Sequence, residues 1–384
     1  MSQPIPHYVD PRPFDPQAGE RLSPELERYY MSSQWRMMWL KLRRHRLAVI
    51  SGAILAALYA MILIAEILAP YDPNTRHTEF IYAPPQDVRL FHEGRFVGPH
   101  VLGWEKSLDM DTLRRVYTPD PAKVEKLRFL CSGDTYRFWG LIEGSFHLVC
   151  PAEGGQFFWL GTDRLGRDML SRMVSGARIS LTIGVVGVAI SFVLGIALGG
   201  LAGYYGGWVD ATITRAIEII RSFPKLPLFM ALSAALPIWL PPIWVYFGIT
   251  MIVGLIDWTG LARAVRSKLL ALREEDFCTA AVLMGANPRR IIGRHLLPSF
   301  MSHLVAVATL NIPEMILAET ALSFLGLGLR PPVTSWGVLL TEAQNINAVA
   351  LYPWLLLPIV PVVVTVLAFN FFGDGLRDAA DPYK

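Results

Sequence analysis

Apolar residues in this chain fall in long blocks. They do not form the short alternations of strands or the one-sided stripes of soluble helices. Crossing about 30 Å of hydrocarbon takes roughly 20 helical residues. Six blocks meet that length: Leu47–Ala69, Ile179–Gly203, Ala211–Leu236, Ile243–Ala264, Phe300–Leu322 and Leu351–Phe372. The third is the least regular. Arg215, Glu218, Arg221 and Lys225 sit in its first half, and Pro224 and Pro227 interrupt it. That half is expected at the interface or against other helices, with the apolar part from Leu226 completing the crossing. The pattern divides the chain into a polar segment 1–46, a first span 47–69, a polar insert 70–178, a core 179–372 containing the basic loop 265–299, and a tail 373–384. Within the insert, "GRFVG" and "SFHLVC" alternate like strands, and "PAKVEKLRFL" reads as a charged helix. The expectation is an all-α polytopic membrane protein with a small mixed domain between its first and second spans.

Composition agrees with the pattern. Hydrophobic residues make up 53% and charged residues 17%, where a soluble domain carries about 25% charged. A net charge of +3 gives no reason to expect nucleic acid as a partner. The distribution of positive charge sets the orientation. Lys41, Arg43, Arg44, His45 and Arg46 precede the first span, which has no short apolar region with a cleavage site and reads as an uncleaved anchor. Arg263, Arg266, Lys268, Arg273, Arg289, Arg290 and Arg294 cluster in the later loop. A six-span count puts both clusters and both termini in the cytoplasm and the insert outside. Cys131 and Cys150 would then face an oxidising compartment, either as a disulfide or as two small unpaired hydrophobes. No Cys/His spacing suggests a metal.

Little in the sequence points to catalysis. No phosphate-cradling GxxxxGK[ST], HExxH or GxSxG occurs. Ionisable groups inside spans are pointers to a transport path. Glu314 and Glu319 lie in the fifth span with Asn311 and Pro313, and Asp257 lies late in the fourth. They either line a polar path or pair at helix contacts, the latter being favoured for Asp257 and Glu319. Gly195, Gly199 and Gly203 repeat a small residue every fourth position, which permits close helix approach.

The loop between the fourth and fifth spans is unusual. In "CTAAVLMGANPRRIIGRHLLP" (278–298), Glu274, Glu275 and Asp276 suit a helix start, and Gly285 suits the left-handed position that ends it. Asn287 is a good N-cap, and Pro288 fits the first position of a second helix, expected over Arg289–Leu297 and stopping at Pro298. Arg290 and Arg294 share one face, Ile292 and Leu296 another. Such a helix pair could lie on lipid, pack on its own protein, or dock a cytoplasmic partner, with Ala280 and Ala281 allowing close approach.

This segment resembles the EAA loop of ABC importer permeases, matching at Ala280, Ala281, Gly285, Leu297 and Pro298 but carrying Thr279 where the family usually has glutamate. "LGTDRLGRDMLSRMVSGARISL", "ETALSFLGLGLRPPVTSWGVLL" and "FFGDGLRDAADP" resemble the C-type subunit of the dipeptide/oligopeptide permease family. The long insert is most similar to the Yej-type subfamily, associated with peptides and peptide antibiotics of the microcin C kind. The resemblance implies six transmembrane helices of the type I importer fold in a bacterial inner membrane. It implies a heterodimer with a second permease, a cytoplasmic ATPase holding ATP and Mg, and a periplasmic peptide-binding protein. It makes Thr279, Ala280, Ala281, Gly285, Ala286, Asn287, Pro288, Arg289, Arg290 and Arg294 the coupling segment, and it makes Asn311, Glu314 and Glu319 path candidates. The remaining readings are a secondary transporter or channel, which predicts internal repeats and paired ionisable residues, and an ABC permease for a metal chelate or sugar derivative.

Overall fold

A computed structural model describes residues 34–111 and 114–380. The predicted N-terminal segment 1–46 and tail 373–384 therefore lie partly outside the described residues. Helix α1 (Gln34–Arg44) carries the first basic cluster and leads into α2 (Arg46–Leu63) through His45, whose Nδ1 accepts from the Ala48 amide at 3.1 Å. A single turn, α3 (Ala65–Leu68), ends the first span.

The regular structure of the insert before Met169 is β. Strands β1 (Arg89–His92), β2 (Arg95–Asp109) and β3 (Arg114–Lys126) form an antiparallel sheet in that order, and β4 (Arg128–Phe138) pairs with β5 (Ile142–Cys150) as a separate hairpin. The charged helix expected at 121–130 is corrected by this topology: the segment forms the end of β3 and the start of β4. Cross-strand partners such as Val124 opposite Leu102 and Phe129 opposite Val149 outweigh its local helix propensity. Gln86 anchors the sheet, donating to Leu102 O and accepting from Phe158 N at 2.7 Å. His147, buried in the hairpin, contacts Ala69 O at 2.6 Å and so ties it to the end of the first span.

Five helices are long and apolar enough to cross a membrane among the described residues. After α2 come α4 (Met169–Tyr205) and, beyond a break, α7 (Pro242–Leu272). Between them the predicted third span is broken into α5 (Gly207–Ser222) and α6 (Lys225–Ala234). The break falls at Pro224, one of the two prolines that interrupt this block in the sequence. Pro224 cannot continue a helix arriving from its N-terminal side and instead caps α6, whose 10 residues reach only about 15 Å. The loop region holds α8 (Asp276–Leu283) and α9 (Pro288–Arg290), followed by a wider π turn over Ile291–Leu296 and α10 (Leu297–Phe324). The second loop helix therefore does not stop at Pro298. Proline there follows directly on the π turn, and the direction change falls two residues later at Phe300, whose φ/ψ are non-helical. Helix α11 (Trp336–Leu340), α12 (Ile346–Leu351) and α13 (Ile359–Ala380) complete the described chain. The last span thus runs later than predicted, because Pro353 opens a short 3-10 turn before α13.

Helix α4 is the hub. Its Gly199 lies where a Cβ would collide with the Ala262 backbone of α7, so the small-residue stripe fixes a close crossing with that helix. Ile183, Ile249, Val253 and Met315 form one core between α4, α7 and α10, and Leu55, Leu181, Ile316 and Phe369 form another toward α2 and α13.

Candidate functional site

The loop segment is built on its own core. Cys278, Ala281, Ile291 and Leu296 are buried with Leu261, Val265 and Leu269 of α7 and Phe300 and Leu304 of α10. Helix α8 ends in a Schellman turn: Ala286 N donates to Ala281 O at 3.0 Å, Gly285 N to Val282 O at 2.9 Å, and Gly285 has φ +79°. Asn287 then caps the next turn, its side chain accepting from Arg290 N at 2.8 Å. Thr279 points its hydroxyl at Glu275 O, 3.5 Å away. Pro288 is half-buried at the first position of α9, and Ala286 packs against the core. Arg289, Arg290 and Arg294 are exposed.

The expected alanine pair does not act as one surface. Ala280 is exposed, whereas Ala281 is 2% exposed and packs inward. The outward apex is apolar instead, with Leu283 82% and Met284 81% exposed and Phe277 and Val282 beside them. Sequence reading missed these residues. Their signal was an apolar pair directly before the turn glycine, the position a helix end presents to its surroundings.

A second group lies at the break between α5 and α6. Lys225, first residue of α6, reaches Asp257 of α7 at 2.7 Å and Glu314 of α10 at 3.0 Å. The three residues line a cavity of about 370 Å3 whose other walls include Phe229, Val253 and Met315. Asp257 is nearly buried, while Lys225 and Glu314 are exposed toward the open side. Asn311 is half-buried and does not line this cavity. Glu319 also stands apart. It is fully buried, accepting from Ser323 at 2.8 Å, Ser335 at 2.7 Å and Ser180 at 3.4 Å. Three hydroxyl donors on α4, α10 and the start of α11 satisfy it, so its contacts are those of a helix junction.

On the insert side, the stretch before α4 forms a buried clasp that the sequence analysis did not assign. Asp163 accepts from Leu165 N at 2.8 Å, Arg167 N at 2.9 Å, Arg167 Nε at 2.6 Å and the Arg172 guanidinium. Glu342, after α11, approaches Arg164 at 3.5 Å and Arg167 at 3.9 Å. Burial, and then the charge of Asp163, push the Glu342 carboxyl above the usual carboxylate range. Asp168 caps α4 by accepting from Ser171 N at 2.7 Å, and burial raises its carboxyl to about 6. Cys131 and Cys150 are joined as a disulfide across the β4–β5 hairpin.

Residues 195–383 match the family described as binding-protein-dependent transport system inner membrane component. Residues 33–85 match the N-terminal TM domain of oligopeptide transport permease C. Neither match reaches residues 86–194, which hold the β insert and the clasp. The oligopeptide transport system permease protein OppC of Haemophilus influenzae is 42% identical over 236 residues, 60% of this chain and 71% of that protein. The glutathione transport system permease protein GsiD of Pectobacterium atrosepticum is 39% identical over 224 residues, 58% of this chain and 72% of that protein. Among solved structures, the MetNI methionine ABC transporter in inward facing conformations gives a TM-score of 0.45 at 22% identity, over 56% of this chain and 98% of that chain.

Proposed function

This chain belongs to the binding-protein-dependent inner membrane components, in the C-type permease branch of peptide ABC importers, and from that premise we propose how it couples and conducts. ATP hydrolysis in this family resides on separate subunits. The exposed Leu283–Met284 apex, held by a capped turn on a buried base, is the observation that carries the coupling reading. An apolar knob on a rigid stem suits a cleft on a cytoplasmic ATPase that binds ATP and Mg, and the neighbouring Arg289, Arg290 and Arg294 steer it. The broken α5–α6 stretch counts as a crossing, which leaves both termini cytoplasmic and the insert facing a periplasmic binding protein. A second permease completes the path. In membranes holding the assembled transporter, Leu283→Cys should form a cross-linked adduct with the ATPase subunit under a short bismaleimide paired with a cysteine in its cleft. Full peptide uptake with no adduct at any cleft position would reject the docking.

The conduction path runs by Lys225, Asp257 and Glu314. Peptides carry an ammonium and a carboxylate, and a bound cation flanked by two carboxylates in a partly apolar cavity can exchange partners with both. Glu314 is exposed, so Glu314→Gln should leave the chain's abundance in the membrane unchanged. Peptide uptake is expected to fall severalfold; uptake at the parent rate would remove this group from the path.

A further inference from the structure

We infer that the tip of the β4–β5 hairpin, Trp139 to Ile142, is seated in the lipid leaflet on the insert side of the membrane. The argument begins with α2. Its 18 residues rise about 27 Å, close to the roughly 30 Å of the hydrocarbon core, so the boundary falls at Leu63 to Leu68. The hairpin reaches down to that level. Trp139 Nε1 donates to Leu63 O at 3.1 Å, and Trp139 N donates to Glu66 Oε1 at 3.1 Å. Arg178 fixes the same height from α4, donating to Ile62 O at 2.8 Å and to Glu66 Oε1 at 2.7 Å, with its guanidinium 4.0 Å from the centre of the Trp139 ring.

What the tip presents at that height is apolar. Leu141 is 85% exposed and Ile142 67%; they follow within three residues of Trp139, which bonds Leu63 O, and Leu63 and Ile64 at the end of α2 are themselves exposed. Two exposed aliphatic residues at a hairpin turn are a poor choice for water and a good one for the acyl boundary. The indole lies at the depth where tryptophan is enriched in membrane proteins. Arg137 and Glu143, paired at 3.4 Å, flank the turn and stay in the headgroup layer. The direct bonds from the turn to Leu63 and Glu66, at the end of the span, are what select lipid over a protein partner. The hairpin, tied to the span end by His147 and crossed by the Cys131–Cys150 bond, becomes a stiff strut resting on the membrane. The inference needs only that α2 spans; it does not depend on the coupling or path assignments.

The test places a nitroxide at Leu141→Cys in a Cys278→Ser background, with the hairpin disulfide retained. The full chain is assembled with its partner subunits in nanodiscs of phosphatidylethanolamine and phosphatidylglycerol. Power saturation should give an oxygen accessibility several-fold above that of a water-soluble nickel chelate, and the reverse ratio at the control Asp87→Cys, on an exposed loop of the insert. Adding Ile142→Asp to the Leu141→Cys chain should bring the label's ratio to that of the control, since both side chains are exposed. A water-like ratio at 141 in the parent overturns the inference. So does a label inaccessible to both reagents, which would mean that a protein partner covers the tip.

Discussion

Gly285→Pro is expected to abolish peptide uptake, by tenfold or more, in a transporter that still reaches the membrane. The position combines two demands that proline cannot meet. Its φ is +79°, whereas the pyrrolidine ring holds φ near −65°. Its amide donates to Val282 O at 2.9 Å, and proline has no donor. With that residue displaced, the companion bond from Ala286 N to Ala281 O cannot keep its register, and the Schellman turn is lost. The cost is about 3 kcal/mol or more, concentrated on two short helices that have little of their own to set against it. Leu283 and Met284 then no longer project from a fixed stem. Gly285→Ala separates conformation from crowding. A Cβ there meets nothing within 4 Å, so alanine carries only the left-handed penalty of about 1 kcal/mol and should retain most of the uptake. Peptide uptake into right-side-out vesicles loaded with ATP, normalised to the chain's abundance, reads the result. A proline variant transporting like the parent would dismiss this turn as the coupling element.

The contrast between this loop and the rest of the chain shows which parts of the structure were legible. Span positions come from block length, and the loop turn comes from residues whose preferences act within four or five positions, such as Gly285 and Asn287. Local signals also mark where the third span is troubled, through Pro224 and the charges before it. They do not say that Lys225 would reach two different helices, because Asp257 and Glu314 are distant in sequence and meet only through packing. Residues 121–130 differ for the same reason: local helix propensity is visible in the string, and the β2 and β5 partners that override it are not. Glu319 is visible in the string as an acid in an apolar block, but its three serine donors come from separate elements and cannot be assembled from the string. Leu283 and Met284 do carry a local signal, their place directly before Gly285, but which side of their helix is buried depends on α7 and α10.

The clasp before α4 is the extreme case of long-range dependence, and its removal should have the largest effect on stability. Asp163→Ala is expected to lower the apparent melting temperature of the purified complex by roughly 10 °C, corresponding to about 3–5 kcal/mol for breaking a buried ion pair. Asp163 is the only acid in direct contact with both Arg167 and Arg172 among the described residues, and those two side chains are 7% and 3% exposed. Without it, Arg167 keeps only Glu342 at 3.9 Å, and Arg172 is left as an uncompensated buried cation. Two backbone donors, Leu165 N and Arg167 N, lose their acceptor as well, which loosens the loop that starts α4. Attribution to charge rather than to the loop needs a second variant. Adding Arg172→Met to Asp163→Ala removes the stranded cation and fills its volume with an unbranched apolar chain, so the double variant should melt above the single one. If the single substitution melts with the parent, or if the double loses the sum of the two separate losses, the clasp is not a coupled ionic unit. A regained melting temperature would identify the ion pair as the link that seats α4 against the segment after α11, and through α4 orders the hub on which both the loop core and the Lys225 group are built.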